Sequence, residues 1–222
     1  MKSINPSSFE FLTEIKLNNN REWFAENKGW FQREMKSIKS FFEAVKEGMN
    51  TFDKVENLKM FRIYRDIRFS LDKTPYKTHF SARFIRDGIE RRGGYYLHLK
   101  PGESFLGGGF FAPEKEDLLR IRQEFEIDDS VMRKIMDAPE FRKRFKFTGN
   151  ELKTAPKGFD KAHPAIDLIR KKQFIFTCPY SDEEILTEGF YEKVLADAAL
   201  LLPFFDYMSE VLTTDLNGES VI

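Results

Sequence analysis

The chain has 222 residues, and its 36 Lys+Arg balance its 36 Asp+Glu to a formal net charge of +0. A single cysteine, Cys178, excludes an internal disulfide and argues against a cysteine-based zinc site. The longest apolar run is far shorter than the roughly 20 residues that cross a bilayer, and the N-terminus lacks a signal-peptide layout. We therefore expect one domain over residues 1–222, in the cytoplasm and without a membrane partner.

The first strong pattern is helical and follows a polar break at Asn18–Asn20. With Asn19 as the N-cap, Glu22 would occupy the capping-box position. Apolar residues then recur three, four or seven positions apart, which predicts one long helix with a single buried face. The residues of that face are Phe24, Phe31, Met35, Ile38, Phe42, Val45 and Met49.

Between Leu58 and Phe111 apolar residues alternate, as is typical of half-buried strands. The predicted strands are Phe61–Phe69 (whole, or broken near Asp66), Thr78–Arg86, Gly94–Lys100 and Ser104–Phe111. Together with the helical patterns that follow, they predict an α+β fold. We expect an antiparallel meander sheet of about four to six strands with helices packed mainly on one face.

The C-terminal half is predicted to be mostly helical. Pro113 and Pro164 are expected to open helices, and Ser181 with Glu184 forms a capping-box pattern. Pro203 should kink or divide the last helix. A late strand is predicted at Phe174–Thr177.

The turn at Lys100–Glu103 sets the pairing of the third and fourth strands. It places His98 opposite Phe105 and Tyr96 opposite Gly107, so Tyr96, His98, Gly107 and Gly109 would share one side of the sheet. Glycines in a strand often mark the close approach of a ligand or of another backbone. A bulge, or an aromatic ring lying over bare backbone, would explain them equally well.

Polar residues of the first two strands would join this face: Arg62, Tyr64, Asp66, Arg68, His79, Ser81 and Arg83. Guanidinium groups with few acids beside them suit a phosphate or a carboxylate. The alternative is an ordinary solvated face with cross-strand ion pairs. Arg65 has the opposite parity, which favours a structural ion-pair anchor.

Charge is segregated along the chain. Eleven basic and four acidic residues lie between Lys59 and Lys100, whereas Pro179–Ile222 holds ten acidic residues and one basic residue. The two segments could pack together, or the basic one could meet an anionic partner. A second polar cluster precedes a helix and contains Lys157, Asp160 and His163, which could cap that helix or border the basic site.

The sequence lacks the motifs that mark several kinds of catalytic and cofactor-binding sites. The three histidines have no helical metal-pair spacing, and although Asp66, His79 and His98 could meet across strands, no metal site is predicted. There is no Gly-x-Ser-x-Gly elbow, and Gly107–Gly109 is neither a P-loop nor a dinucleotide fingerprint. The sequence leaves any cofactor unknown.

Five motifs in order carry a resemblance: Asn19–Phe24, Arg62–Ser70 continuing through Asp72–His79, Gly94–His98, Gly107–Gly109, and Pro156–Asp160 with His163–Pro164. Together they resemble DUF2461, a widespread and mainly bacterial family of conserved hypothetical proteins with a domain of unknown function. The resemblance covers nearly the whole chain and implies a short single-domain protein. It implies no established activity, substrate or cofactor.

Three functional hypotheses follow. The first is a cytosolic anion-binding domain, with or without catalysis on a phosphorylated or carboxylated small molecule. Its anion would be held by Arg62, Arg68 and Lys77, its acid/base candidates are His98 with Tyr96 or Asp66, and its remaining ligand-binding candidates are His79, Arg83, Gly107, Gly109, Lys157, Asp160 and His163. The second is a nucleic-acid-binding module that uses a basic sheet face, and the third is a non-catalytic protein-interaction domain. The oligomeric state is left open.

Overall fold

The structure, a computed structural model, describes residues 2–222. Its helices are α1 (Pro6–Leu17), α2 (Arg21–Glu26), α3 (Lys28–Met49), α4 (Lys115–Ile127), α5 (Ser130–Asp137), α6 (Pro139–Arg144), α7 (Ile166–Ile169), α8 (Asp182–Ile185), α9 (Phe190–Ala199) and α10 (Leu202–Thr213). Its strands are β1 (Val55–Met60), β2 (Phe80–Arg86), β3 (Gly94–Leu99), β4 (Ser104–Phe110), β5 (Lys146–Thr148) and β6 (Phe174–Tyr180).

The strands form one antiparallel sheet in the order β1-β2-β3-β4-β6-β5. The first four strands are a meander, and the late strand β6 pairs with β4 before β5 completes the far edge. The predicted α+β class, with an antiparallel sheet of four to six strands, is confirmed.

Helices pack on one side of this sheet, where alternate strand residues are buried. Aromatic contacts fix the layers: Phe42 of α3 meets Phe84 of β2 with ring centroids 6.2 Å apart. Phe205 of α10 meets Tyr95 of β3 at 4.8 Å. The alternation of strand side chains sends the neighbouring residues to the other side. We call that side the open face; it carries two rows of paired residues, namely Arg83, Tyr96, Gly107 and Thr177, and Ser81, His98, Phe105 and Pro179.

A network behind the sheet holds the β2–β3 connection. Asp53 accepts hydrogen bonds from Arg86 Nε and from the Tyr95 hydroxyl, both at 2.7 Å. Arg86 also donates to the Arg92 carbonyl at 3.1 Å, and the Arg92 amide donates to Ser209 Oγ at 2.9 Å. This network therefore positions Arg92 at the end of the open face.

The prediction of one long N-terminal helix is wrong in two respects. Asn20, not Asn19, is the N-cap, because its side chain accepts from the Trp23 amide at 2.8 Å. The helical pattern is also divided at Asn27 into α2 and α3. The predicted buried face survives this break, except that Phe31 and Met35 are only partly buried.

The prediction of a strand at Phe61–Phe69 is also wrong. Residues 61–79 form an irregular loop with a single bridge, Tyr64 to Tyr76. Phe69 is 97% exposed, although the alternating pattern would bury it. Instead of a neighbouring strand, the Asn19 side chain pairs with the Tyr76 backbone, donating to its carbonyl at 2.9 Å and accepting from its amide at 3.0 Å.

The C-terminal predictions fared better. The Ser181–Glu184 capping box is present, and Pro203 lies in the first turn of α10, so the pattern is divided as expected. Strand β6 runs on to Tyr180, beyond the predicted Thr177. The helix expected at Pro113 begins two residues later, and the one expected at Pro164 is only the short α7.

Within residues 2–222, every helix is too short or too polar to cross a membrane.

Candidate functional site

A groove of about 910 Å³ lies on the open face. Its floor contains glycines of β3 and β4, and aromatic side chains border it. Phe61, Tyr96 and Phe105 stand at one end, and Phe111 lies at the other with Pro113. The polar side chains that line it are Arg83, Arg92, Glu114, Asp117, Thr148, Gln173 and Thr177.

The predicted strand register is confirmed. Tyr96 pairs with Gly107 and His98 pairs with Phe105. Tyr96, Gly107 and Gly109 line the groove, but His98 does not. The His98 ring is stacked against Phe105, with centroids 5.0 Å apart and planes at 17°. His98 therefore shares the sheet side of Tyr96, as predicted, but of the two only Tyr96 lines the groove.

Gly109 has a structural reason to be glycine. Its φ is +140°, and a Cβ atom there would lie 2.0 Å from the Phe174 carbonyl oxygen of β6. A side chain would thus be strained by both the dihedral angle and the neighbouring backbone. Close approach of another backbone, one of the two sequence-based explanations, applies to this position.

Three polar rings form a cluster beside the groove. The Tyr96 hydroxyl lies 3.1 Å from His98 Nδ1, and the His98 and His79 ring centroids are 4.2 Å apart. Burial is the main cause that lowers the pKa of each histidine to about 4, and Lys100 lowers both further. Burial also raises the pKa of Tyr96. At neutral pH the cluster is therefore uncharged.

The histidine pair predicts an acid-sensitive fold. Unfolding returns each imidazole to its usual pKa near 6.5, so between pH 6.5 and about 4 the unfolded chain binds more protons. The contribution of the two uncharged histidines to the free energy of unfolding is complete above pH 6.5, and it is lost as the pH falls from 6.5 to about 4. We expect urea midpoints to fall from pH 7 to pH 4.5, and less steeply in His98→Gln and His79→Gln. Equal slopes in all three proteins would contradict the burial of these rings.

Cations without carboxylate partners surround the aromatic end of the groove. Of the eleven basic residues between Lys59 and Lys100, six form ion pairs: Arg65, Arg68, Arg86, Arg91, Arg92 and Lys100. Among the described residues, the exposed Arg83 makes no ion pair, and neither does Lys59, which stands directly opposite it on β1. The partly buried Lys77 lies over the Phe61 ring at 5.4 Å. Burial lowers the pKa of Lys77, and the neighbouring Arg62 lowers it further.

Five of the predicted site residues lie on the 61–79 loop, outside the groove lining: Arg62, Asp66, Arg68, Lys77 and His79. Arg68 is bound to Asp66 through two hydrogen bonds of 2.9 and 2.6 Å, and both side chains are exposed. Arg62 lies close enough to Asp66 to lower the pKa of that carboxyl group further. Arg65 pairs with Asp72 and Thr74, which fits the ion-pair anchor expected for it.

The second polar cluster also lies outside the groove lining. His163 Nδ1 accepts from the Ala165 amide at 3.1 Å, just before α7. The Asp160 side chain accepts from the Ala162 amide at 2.9 Å. Lys157 is exposed on the same loop. These contacts hold the loop before α7, whose N-cap, Ala165, has no side-chain cap hydrogen bond, so neither the capping alternative nor a place in the groove lining is seen for the three residues.

Sequence reasoning missed the far end of the groove. Arg92 is paired with Asp117 of α4, and Glu114 lies beside them, so these three side chains carry one more negative than positive charge. Thr148 and Gln173 come from β5 and the turn before β6. The Gln173 side chain accepts from the Asn150 amide at 3.1 Å. These residues reach the groove only because β6 pairs with β4, and no local sequence pattern predicts that pairing.

No metal site emerges among the described residues, where no group of three or more His, Cys, Asp or Glu side chains could hold an ion. Cys178 is buried, and burial raises the pKa of its thiol to about 12. Reactive-thiol chemistry therefore has no support here.

A family model matches residues 7–207, and the chain therefore belongs to DUF2461, a family of conserved hypothetical proteins. No curated protein and no solved structure matches the chain significantly. The family description names no activity, so the function has to be argued from the groove.

Proposed function

We propose that this protein binds an anionic small molecule in the groove of the open face. The observation that carries the proposal is Arg83, an exposed guanidinium beside the groove with no carboxylate partner among the described residues. Unpaired arginines are the side chains best suited to hold phosphate or carboxylate, because they offer two parallel donors. Lys59, directly opposite Arg83, adds a second positive charge.

The sequence suggested Arg62, Arg68 and Lys77 as the residues that hold the anion, and this proposal places the anion elsewhere. Arg68 is neutralised by Asp66 on the 61–79 loop, so it has less to offer a ligand. Lys77 and Arg62 remain candidates, since Lys77 contacts Phe61 at the aromatic end of the groove. Lys59 and Arg83 therefore form the centre of the proposed anion site, with Lys77 beside it.

The geometry supports binding better than acid/base catalysis. The Tyr96 hydroxyl is engaged by His98, and His98 itself does not line the groove. Asp66 is held by Arg68 on the exposed loop. If the bound molecule is a substrate, Tyr96 is the proton-donor candidate in the groove lining, and burial, which raises the pKa of Tyr96, keeps its phenol protonated. His98 would then act through Tyr96.

Single-stranded nucleic acid is the second candidate, and one observation favours it. The row of Lys59, Arg83, Tyr96, Gly107, Thr177 and Lys146 crosses the whole sheet with a cation at each end and no acid between them. Five strand spacings give this row a length of about 24 Å. A platform of this type suits several linked phosphates.

The binding proposal is tested by calorimetric titration of inorganic phosphate, citrate and ribose 5-phosphate against wild type, Arg83→Gln and the control Arg68→Gln. Arg83→Gln should lose about tenfold or more in affinity, because a hydrogen bond to a charged group contributes roughly 1.5–3 kcal/mol. Arg68→Gln should bind as wild type does. Affinity should also fall as salt rises.

Two results would contradict the proposal. The first is an absence of binding by wild type at low salt. The second is an equal loss of affinity in both variants, which would move the anion to the 61–79 loop.

The buried thiol of Cys178 fits a reducing compartment, and we propose the cytoplasm as the place where this binding occurs.

A further inference from the structure

One glycine of the groove has no structural reason to be a glycine. Six glycines line the groove, and five of them are fixed by a positive φ or by a neighbour that a Cβ atom would strike: Gly93, Gly94, Gly108, Gly109 and Gly149. Gly107 is the exception. Its φ lies outside the positive region, and a Cβ atom there would meet only ordinary contacts, 3.5 Å from the Phe105 ring and 3.7 Å from the Tyr96 carbonyl oxygen.

Glycine in the middle of a strand weakens the strand, because it loses more backbone entropy on folding than alanine does. At position 107 the fold gains nothing in return, since alanine would fit. The missing side chain instead leaves room above the sheet at the centre of the groove. The Phe105 ring takes part of this room, and a ligand in the groove would account for the rest.

The wall beside Gly107 is aromatic. Tyr96 stands on the neighbouring strand, and Phe105 is two residues earlier on the same strand, with the two ring centroids 5.8 Å apart. Phe61 extends this wall, with its centroid 6.0 Å from that of Tyr96. Aromatic rings that border bare backbone suit a planar ring, which can stack on them in a sequence-tolerant way.

The charge next to this wall indicates a phosphate. Arg83 and Lys59 are directly paired residues of β2 and β1, so their like charges lie on the same side of adjacent strands. Like charges in that position repel each other unless an anion lies between them. A phosphate monoester carries nearly two negative charges at neutral pH and can satisfy both cations, which a single carboxylate cannot.

We infer that the groove takes a nucleoside phosphate, with its base over Gly107 against Tyr96 and Phe105 and its phosphate at Arg83 and Lys59. The inference rests on the proposed anion site and adds to it a binding place for the planar base. Two sources share this chemistry, a free nucleotide and a nucleotide unit within a single strand. Thr177 and Gln173, on the far side of Gly107, supply the polar groups that can meet the edge of a base.

Calorimetric titrations with AMP, UMP, adenosine, ribose 5-phosphate and a hexamer of uridylate test the inference. Wild type should bind AMP or UMP about tenfold more tightly than ribose 5-phosphate, which is the range that stacking of one base provides. A hexamer that binds much more tightly than UMP identifies a single strand as the source. Equal affinities of UMP and the hexamer identify the free nucleotide.

The decisive variants are Gly107→Ala and Gly107→Val, with Gly189→Ala as the control, because a Cβ atom at Gly189 would meet nothing within 4 Å. Gly107→Ala should raise the melting temperature by about 1–3 °C. Gly107→Val should lose about tenfold in affinity for AMP while keeping the wild-type affinity for ribose 5-phosphate. Gly189→Ala should keep wild-type affinity for both.

Two outcomes would overturn the inference and leave the anion site standing. One is equal affinity of wild type for AMP and ribose 5-phosphate, and the other is undiminished AMP binding by Gly107→Val. If Gly107→Ala lowers the melting temperature, the claim that the fold leaves this position free is wrong. If no phosphate compound binds wild type, the proposed anion site itself fails.

Discussion

Replacing Phe42 with alanine is expected to lower the free energy of unfolding by about 3–5 kcal/mol, the usual cost of truncating a buried phenylalanine. Phe42 is 0% exposed and joins α3 to the sheet through its contact with Phe84 of β2. The matched variant is Phe31→Ala on the same helix, where the ring is only partly buried and a smaller loss is expected. Urea denaturation of both variants measures the difference.

The contrast between the two positions tests how α3 is oriented. Phe31 packs against Phe24 and Phe11 at the start of the helix, with centroids 5.1 and 5.8 Å away, and keeps part of its surface in solvent. An unchanged denaturation midpoint in Phe42→Ala, or a larger loss in Phe31→Ala, would contradict the packing of α3 on the sheet.

Replacing Asp53 with alanine is expected to destabilise the fold by about 3–5 kcal/mol, because it leaves the buried Arg86 guanidinium with only the exposed Asp206 carboxylate, 3.3 Å away, as an ionic partner. The side chains of Arg86 and Asp53 are 2% and 3% exposed. The Tyr95 hydroxyl loses the same acceptor. Thermal and urea denaturation measure this loss.

The double variant Asp53→Ala, Arg86→Met separates the ion pair from its surroundings. It removes the buried charge that Asp53→Ala leaves with only the exposed Asp206, so it should be more stable than Asp53→Ala alone. If the double variant is less stable by the sum of both single losses, the two residues do not act as a pair. Because Arg86 also binds the Arg92 carbonyl, the same variants should disturb the end of the groove lined by Arg92 and Gly93.

Local patterns predicted the elements whose partners are near in sequence. The register of β3 and β4 followed from the four residues Lys100–Glu103, and it correctly placed Tyr96 opposite Gly107. The Ser181–Glu184 capping box and the break at Pro203 were equally local. Such features depend on turn and cap chemistry that a few neighbouring residues determine.

The loop 61–79 shows why a local pattern can mislead. Its residues alternate like those of a strand, yet Ile63 is buried while Phe69 is exposed, and the loop is held by long-range contacts such as that of Asn19 with Tyr76. Asp66, which sequence grouped with the sheet, instead binds Arg68 two residues away. Alternation alone therefore does not show whether a segment has a neighbouring strand to pair with.

The candidate site was predictable in part for the same reason. Arg83, Tyr96, Gly107 and Gly109 lie on consecutive hairpin strands, and the structure brings all four to the groove. Gln173 and Thr177 enter only through the distant pairing of β6 with β4, and Arg92 is set by the network behind the sheet. His98 faces the same side as Tyr96, but its stacking on Phe105 keeps it out of the groove lining.

Amide chemical-shift mapping with AMP is the most direct test that the groove of the open face is the ligand site. At low salt, the signals of Arg83, Tyr96, Gly107 and Thr177 should shift progressively with AMP, and those of Arg68 and His163 should not. The Arg83→Gln variant should require about tenfold more AMP for the same change. Shifts confined to the 61–79 loop, or an unchanged spectrum at millimolar AMP, would contradict the account.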